Sequence, residues 1–319
     1  MTTMGKLRHM SRCATDDGHF VVMAIDHRAV LRDKLNEHAP RPVDDAAFTT
    51  FKQQVVRALI PDVAAVLLDP AFGIGAGLVE RTITGRHGLL APLEVTNYDL
   101  HPSRRDVNFI PGWSVAKIKR VGGDGVKLLL PYHPESDSAA DKQDVVRRIV
   151  DECAVHDIPF FLEPIAHAMD PEKPLYNAEL LDVVVEMARV FSHLDADVLK
   201  MQVPVDAKQS DDETTWREAC NALDEACSVP WALLSAGVNY ETFALQAKVA
   251  CEAGASGVIV GRAVWAEAVE LQGAERETFV TTTARERMQS LAGICREHAT
   301  PYYKRVTMPH TTPDWFETY

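Results

Sequence analysis

The sequence predicts an α/β fold, a single (β/α)8 TIM barrel, and two observations support this prediction. Short, nearly continuous apolar runs recur eight times along the 319 residues, and segments with helical periodicity lie between most of them. Strands that are apolar on both faces and alternate with amphipathic helices indicate a parallel sheet covered by helices, and eight such units are typical of a TIM barrel. A doubly wound sheet is the alternative, but no Gly-x-Gly-x-x-Gly fingerprint follows the first strand.

The predicted strands are rich in aliphatic, β-branched and aromatic residues. They are residues 20–26, 65–70, 88–95, 125–132, 159–165, 198–204, 231–237 and 257–263. The clearest predicted helices are residues 44–60, 141–157, 177–191 and 240–254. The connection between the second and third strands is the shortest, and the helix expected around residues 75–84 has the weakest pattern.

No linker rich in proline, glycine or serine divides the chain, so we expect one domain over residues 1–319 with extensions at both ends. The barrel core is expected at residues 20–270. Residues 1–19 are expected to cap the floor of the barrel. Residues 271–319 are expected to form a helix and an aromatic tail that packs on the barrel or on a neighbouring subunit.

Composition and charge argue against several classes of function. The net charge is −13 and no run of lysine or arginine stands out, which argues against nucleic acid or an anionic membrane as the main partner. No apolar run has the length of a membrane span, and the first 20 residues are too polar for a secretory signal, so we expect a soluble cytoplasmic protein. The six cysteines lack Cys-x-x-Cys spacing and predict reduced, mostly buried thiols.

A lysine in the sixth predicted strand is the first candidate for chemistry. In VLKMQVP, Val198, Lys200 and Gln202 share one face, and the other face is apolar enough for the helix layer. Lys200 is therefore expected to face the barrel axis near the mouth, where catalytic residues of such barrels lie. A lysine that forms a Schiff base must lose its proton, and desolvation or a nearby like charge lowers its pKa. The alternative is a lysine that pairs with a carboxylate and only rigidifies the barrel.

Three further residues at strand ends complete the candidate catalytic set. Glu163, on the fifth strand, lies between two lysines and is a candidate for proton transfer, or else a salt-bridge acceptor. Lys127, on the fourth strand, is expected to face inward and to lower the pKa of Lys200 through its charge. Asp26, at the end of the first strand, is expected to bind a sugar hydroxyl or orient Lys200, or else to cap the following turn.

Candidate substrate-binding residues lie at the ends of the other strands and in the first loop. Phosphate in these barrels usually binds after the seventh and eighth strands, at small residues and an arginine such as Arg262. Arg28 is placed to meet an anionic end of the substrate, and Asp69 to bind substrate or, equally, to cap a turn. The full candidate set is Arg28, Asp69, Gln202, Ser235, Ala236, Gly237, Gly261 and Arg262.

No metal or other cofactor is expected. The twelve histidines form no His-x-His or His-Glu-x-x-His pattern, and no pair of histidines is expected at strand ends. His27 and His167 are loop candidates for substrate contacts, although surface positions are the more frequent outcome for such residues.

With these residues identified, the chain resembles the class I tagatose-1,6-bisphosphate aldolases and the related sulfofructosephosphate aldolases. The resemblance implies a metal-independent barrel in which Lys200 forms the imine with a ketose and Glu163, Lys127 and Asp26 complete the active site. It also implies that residues 235–237 and 261–262 bind the phosphate of the dihydroxyacetone half. The matching stretches, in family order from residue 20 to about 265, are AIDHRAVL, LLDPAFG, GVKLLLPY, PFFLEPI, DVLKMQVPV, LLSAGV and AGASGVIVGRAVW.

Two positions depart from the family pattern, and both bear on the substrate more than on the reaction. Gln202 stands where glutamate is usual, and His27 where glutamine is common. The expected function is reversible cleavage of a ketose 1-phosphate or 1,6-bisphosphate to dihydroxyacetone phosphate and a three-carbon aldehyde. A sulfofructosephosphate aldolase that releases sulfolactaldehyde is the alternative within the class. A metal-assisted lyase or isomerase and a non-catalytic sugar-phosphate sensor are alternatives from other classes, and a homo-oligomer is expected.

Overall fold

A computed structural model describes residues 2–95, 99–317 and 319. Eight parallel strands close into a barrel, and two short strands form a separate antiparallel pair just beyond the third barrel strand. In chain order the strands are β1 (Phe20–Ala24), β2 (Ala65–Leu67), β3 (Gly88–Pro92), β4 (Glu94–Val95), β5 (Asn108–Phe109), β6 (Gly125–Tyr132), β7 (Phe160–Ala166), β8 (Val198–Met201), β9 (Trp231–Leu233) and β10 (Gly257–Val260). The barrel order is β1-β2-β3-β6-β7-β8-β9-β10, which confirms the predicted (β/α)8 barrel.

Helices lie between the barrel strands, as the periodicity predicts. The weak helical pattern after β2 corresponds to a π-helical turn, Pro70–Ile74, followed by one short α-helix. The helices are α1 (Met4–Cys13), α2 (Ala29–His38), α3 (Asp45–Leu59), α4 (Gly75–Val79), α5 (Val115–Arg120), α6 (Ala139–Val155), α7 (Asn177–His193), α8 (Glu213–Ala226), α9 (Tyr240–Ala253), α10 (Arg262–Trp265), α11 (Gly273–Thr281) and α12 (Thr283–His298).

Side chains along each strand alternate between two apolar layers. In β8, Leu199 and Met201 belong to the layer between the strands and the helices, whereas Val198 belongs to the layer inside the barrel. Phe20 and Phe161 fill the same inner layer, with their ring centroids 5.7 Å apart. This packing fills the lower part of the barrel, so the inward residues nearer the carboxyl ends of the strands are left to line a cavity.

The amino-terminal helix closes the floor of the barrel. α1 contacts β1, β2, β3 and β6. Its Lys6 and Arg12 each reach an aspartate that immediately precedes a strand, Asp197 and Asp124 respectively, at 2.8 Å. The tail also ends here, since the Tyr319 hydroxyl accepts a hydrogen bond from the backbone N–H of Gly5 at 2.8 Å. The tail therefore lies at the end of the barrel opposite the mouth.

Two predictions from composition can be compared with the structure. All six cysteines are buried free thiols, as their spacing predicts. Within the described ranges, no helix combines the length and the apolar character needed to cross a bilayer.

Candidate active site

A cavity of about 650 Å³ lies at the carboxyl ends of the barrel strands. This volume is typical of small-molecule sites, and the position is the one at which such barrels carry their chemistry. All four candidate catalytic residues line it, namely Asp26, Lys127, Glu163 and Lys200. Six of the candidate substrate-binding residues also line it, namely Arg28, Gln202, Ser235, Ala236, Gly261 and Arg262.

Lys200 and Glu163 form a buried pair on adjacent strands. Lys200 is 7% exposed and Glu163 is 6% exposed, and Lys200 Nζ donates a hydrogen bond to Glu163 Oε1 at 2.7 Å. Burial alone would raise the pKa of Glu163, but the ammonium groups of Lys127 and Lys200 outweigh it and hold that pKa below its ordinary value. Glu163 is therefore held as a carboxylate in direct contact with Lys200 Nζ.

Lys127 is the centre of the charged cluster. Its Nζ lies 3.1 Å from Asp26 Oδ2, 2.6 Å from Glu94 Oε1 and 3.0 Å from Glu163 Oε2. Burial alone would lower the pKa of Lys127, but the three carboxylates raise it well above its ordinary value. Despite burial, the same ammonium keeps the pKa of Asp26 well below its usual range. Lys127 therefore keeps its positive charge among three carboxylates, and Lys200 pairs with Glu163.

Glu94 is a further candidate site residue beyond those predicted from the sequence. It is 5% exposed, lines the cavity, and has one carboxylate oxygen, Oε2, that is buried without a hydrogen-bond partner among the described residues. Burial raises the pKa of Glu94, and the opposing charge of Lys127 does not cancel the effect. The sequence contains a signal for this residue, because Glu94 is the charged residue of the third predicted strand, residues 88–95, and lies near its end.

The ends of β9 and β10 contribute Ser235, Ala236, Gly261 and Arg262 to the cavity wall. Because the sequence predicts phosphate binding at these residues, this set is here named the phosphate wall. Ala236 has a left-handed backbone, with φ of 46°, and this turn follows directly after Ser235. A Cβ at Gly261 would lie 2.7 Å from the Ala24 carbonyl oxygen, so the close approach to β1 requires glycine. The turn and the close approach place small residues and one guanidinium on the same side of the cavity.

Of the remaining predicted residues on this side, Gly237 does not line the cavity. It also has a positive φ of 82°, and a Cβ there would lie 3.7 Å from Arg262 Nη2. The backbone conformation, rather than a lack of space beside Arg262, therefore favours glycine at this position.

His27 faces the cavity beside the phosphate wall. Burial lowers the pKa of His27 to about 4, with help from the charge of Arg262 and against the attraction of Asp26. The imidazole is therefore neutral near pH 7. Its Nδ1 is buried without a hydrogen-bond partner among the described residues, and its ring packs edge-on against Trp265 at 5.6 Å.

Arg28 and Gln202 line the cavity but also hold its walls together. Arg28 donates a hydrogen bond from Nη2 to the backbone carbonyl of Glu94. Gln202 Oε1 accepts a hydrogen bond from the Ala166 backbone N–H at 3.2 Å. Gln202 therefore connects the neighbouring ends of β8 and β7, and Arg28 connects the loop after β1 to β4, which follows β3.

Asp69 does not contact the cavity, so the prediction that it binds substrate is wrong. It is fully buried and pairs with the equally buried Lys52. Its Oδ1 accepts hydrogen bonds from the backbone N–H groups of Ala71 at 3.0 Å and Phe72 at 2.9 Å. Asp69 therefore caps the π-helical turn after β2, the structural alternative that the sequence left open.

The expectation of no histidine pair at strand ends is also wrong. His133 directly follows β6, His167 directly follows β7, and their ring centroids are 6.0 Å apart. Both residues are buried, which corrects the expectation of a surface position for His167. In the part of the chain that the structure describes, no three His, Cys, Asp or Glu side chains are arranged to bind a metal ion.

Comparisons with known proteins agree with this geometry. The chain is 32% identical to tagatose 1,6-diphosphate aldolase 2 of Enterococcus faecalis over 326 residues, 95% of this chain and 97% of that protein. A Schiff-base-forming fructose-1,6-bisphosphate aldolase has the same fold at 18% identity, with a TM-score of 0.59 over 90% of this chain and 98% of the other. The fructose-bisphosphate aldolase of Plasmodium falciparum, solved with TRAP and an inhibitor, has a TM-score of 0.69 at 11% identity, over 93% of this chain and 95% of the other. The sequence profile of the DeoC/LacD family aldolases matches residues 20–267, so this chain belongs to the DeoC/LacD family of aldolases.

Proposed function

We propose that this protein is a class I aldolase that cleaves a ketose 1,6-bisphosphate of the tagatose type into dihydroxyacetone phosphate and glyceraldehyde 3-phosphate. The observation that carries the proposal is the Lys200 amine, 2.7 Å from the Glu163 carboxylate, on the wall of a cavity of about 650 Å³. The substrate is suggested by the relative named tagatose 1,6-diphosphate aldolase.

The reaction begins with a proton transfer within the buried pair. Lys200 gives a proton to Glu163, and the neutral amine attacks C2 of the ketose. The resulting carbinolamine takes a proton back from Glu163 at its oxygen and loses water, which leaves an iminium on Lys200. Lys127 is held by three carboxylates and stays charged throughout, so only one of the two lysines becomes a nucleophile.

The carbon–carbon bond breaks in the second stage. Glu163 takes the proton of the C4 hydroxyl, either directly or through water, and the C4 oxygen becomes the carbonyl of the departing aldehyde. The electron pair of the C3–C4 bond moves into the iminium and forms an enamine. Protonation at C3 and addition of water then release dihydroxyacetone phosphate and restore the Lys200 amine.

Other cavity residues position the substrate during these steps. The phosphate wall is suited to the C1 phosphate, because Arg262 provides a bidentate donor and the small residues leave room for an oxyanion. Asp26 and Lys127 are placed to hold the sugar hydroxyls near the bond that breaks. This positioning lowers the barrier by fixing the orientation of the reacting groups.

Borohydride reduction tests the central step. Incubation with dihydroxyacetone phosphate and borohydride, followed by peptide mass mapping, should place the reduced adduct on Lys200. The variant Lys200→Met should fold but form no adduct, because Glu163 keeps its ion pair with Lys127 at 3.0 Å. An adduct on another lysine, or none in the wild-type protein, contradicts the assignment.

The substrate and the assembly need separate measurements. Cleavage of tagatose 1,6-bisphosphate, fructose 1,6-bisphosphate and sulfofructose 1-phosphate should be compared side by side, and we expect the first to be preferred over the sulfonate. A cytoplasmic homo-oligomer is part of the same proposal. The six buried free thiols fit a reducing compartment, and light scattering after gel filtration gives the subunit count.

A further inference from the structure

The two ring nitrogens of His27 have different surroundings in the cavity wall. The side chain of His27 is 25% exposed, and the residue lines the cavity. Nδ1, unlike Nε2, is buried without a hydrogen-bond partner among the described residues. The exposed edge of the ring, which includes Nε2, therefore faces the cavity, and Nδ1 faces the protein.

The His27 ring lies directly against the phosphate wall. A Cβ at Gly261 would lie 3.5 Å from His27 Cε1, the ring carbon between the two nitrogens. On another side the ring packs edge-on against Trp265, with the ring centroids 5.6 Å apart. The Trp265 indole N–H donates a hydrogen bond to the Ala24 carbonyl oxygen at 3.0 Å, which fixes the indole in place. The imidazole is therefore held beside the small residues at which we expect phosphate to bind.

Charged groups from four parts of the barrel act on the imidazole. Burial is the main cause that lowers the pKa of His27 to about 4. Three cations also lower this pKa, and the neighbouring carboxylate of Asp26 raises it. The three cations are Arg262 on α10, Lys200 on β8 and Lys127 on β6. The ring is therefore neutral near pH 7 before an anion binds.

The position of Asp26 determines which nitrogen of the neutral ring has the proton. Asp26 Oδ1 lies 4.0 Å from His27 Nδ1, so its negative charge favours the proton on Nδ1. Nε2, which faces the cavity, is then a hydrogen-bond acceptor. A dianionic phosphate also offers only acceptors, so a contact between it and Nε2 requires one more proton. The two negative charges of the phosphate favour this proton, because a nearby opposite charge raises the pKa of a histidine.

We propose that His27 is a further phosphate-binding residue, which takes up one proton when the C1 phosphate of the substrate binds. This inference rests on the proposed function, because it adds a residue to the site of that phosphate. The proton comes from solvent or from the phosphate itself, whose second pKa is about 6, and it forms an Nε2–H hydrogen bond to a phosphate oxygen. Protonated His27 and Arg262 then offset the two charges of the dianion. Glutamine, which is common at this position in the family, donates a hydrogen bond but cannot take up the proton.

Proton uptake makes the binding of the anion depend on pH. When an anion raises the pKa of His27 by one unit, it binds about 10-fold more tightly below both pKa values than above both. One charge-assisted hydrogen bond corresponds to about a 10- to 100-fold change in affinity. We therefore expect a bound dianion to raise the pKa of His27 by about one to two units.

NMR titration of the histidine rings between about pH 5 and pH 8, with and without saturating sulfate, measures this increase. Sulfate stays a dianion throughout the range in which histidine titrates, so any proton that is taken up belongs to the protein. The His27 signals are identified by their absence in the variant His27→Gln. Sulfate and dihydroxyacetone phosphate should both raise the pKa of His27, and dihydroxyacetone, which has no phosphate, should leave it unchanged.

The affinity for sulfate, measured by calorimetry at pH 5 and at pH 8, gives a second readout. The ratio of the two affinities should be about 2- to 10-fold higher in the wild-type protein than in His27→Gln, because part of the proton uptake is present at pH 5. His193→Gln is the matched control and should keep the wild-type ratio. His193 is exposed at the end of α7, which leads into β8 at the end of the barrel opposite the cavity.

The outcomes separate this inference from the proposed function. An unchanged pKa of His27 in sulfate, or the same affinity ratio in His27→Gln as in the wild-type protein, overturns the proton uptake. An increase with sulfate but not with dihydroxyacetone phosphate overturns the role in substrate binding and leaves a site for inorganic anions only. Failure of the proposed function has a different signature, which is no ketose cleavage and no borohydride adduct on Lys200 although sulfate still raises the pKa of His27.

Discussion

Replacing Lys127 by methionine removes the central charge of the active-site cluster and keeps a side chain of similar length. The Lys127 ammonium is 3.1 Å or less from carboxylate oxygens of Asp26, Glu94 and Glu163. In the variant, these three carboxylates lose their shared cation, while Lys200 still pairs with Glu163. We therefore expect the folded variant to take up one extra proton, most readily on Glu94, because burial already raises its pKa.

The cost of that proton sets the size of the effect. Protonating a carboxyl of ordinary pKa, about 4.3, costs about 1.36 kcal/mol for each pH unit above the pKa, or about 3.7 kcal/mol at pH 7. This agrees with the roughly 3–5 kcal/mol lost when a buried ion pair is broken. The folded variant binds one more proton than its unfolded chain, so its free energy of unfolding falls as the pH rises. We expect a loss of about 2.3 kcal/mol at pH 6 and about 5 kcal/mol at pH 8.

Urea unfolding followed by circular dichroism at pH 6, 7 and 8 measures this loss. Lys248→Met is the control, because Lys248 is 51% exposed and lies 4.0 Å from Glu252 on the outside of α9. The control should lose no more than about 0.5 kcal/mol, with little dependence on pH. A loss in Lys127→Met that is the same at all three pH values shows that no carboxylate takes up a proton, and it refutes the reasoning.

Three further predictions concern other parts of the structure. Glu163→Gln should lower kcat by about 100- to 10,000-fold in a coupled aldolase assay, because an amide cannot accept the proton of Lys200 or of the C4 hydroxyl; a kcat close to wild type would assign the base elsewhere. Asp69→Ala should cost about 3–5 kcal/mol in urea unfolding, because it leaves Lys52 buried without its partner; its KM should not change, and a raised KM would place Asp69 in the site after all. The pKa values of Asp26 and Glu163 are lowered, so the stability from their ion pairs is complete above their unfolded pKa values, about 4, and is lost as the pH falls further. Asp26→Asn should therefore weaken the fall in the free energy of unfolding below pH 4. The same fall in the variant as in the wild-type protein would contradict this.

The sequence by itself determined the barrel and the direction of its key side chains. Both depend on local periodicity, because a strand that is apolar on both faces must be covered, and alternate residues must face opposite ways. Lys200 faces the cavity and Leu199 faces the helices, as counting along the strand predicts. The position of the cavity at the carboxyl ends of the strands follows from the same fold.

Only the tertiary structure decided which charges meet. Lys127 and Asp26 are 101 residues apart in the chain, and their contact depends on the closure of the barrel rather than on any local pattern. For the same reason Asp69 pairs with Lys52 of the preceding helix, and His133 and His167 meet at neighbouring strand ends. A sequence indicates the face on which a side chain lies, but partners, distances and pKa shifts arise from contacts between segments that only folding brings together.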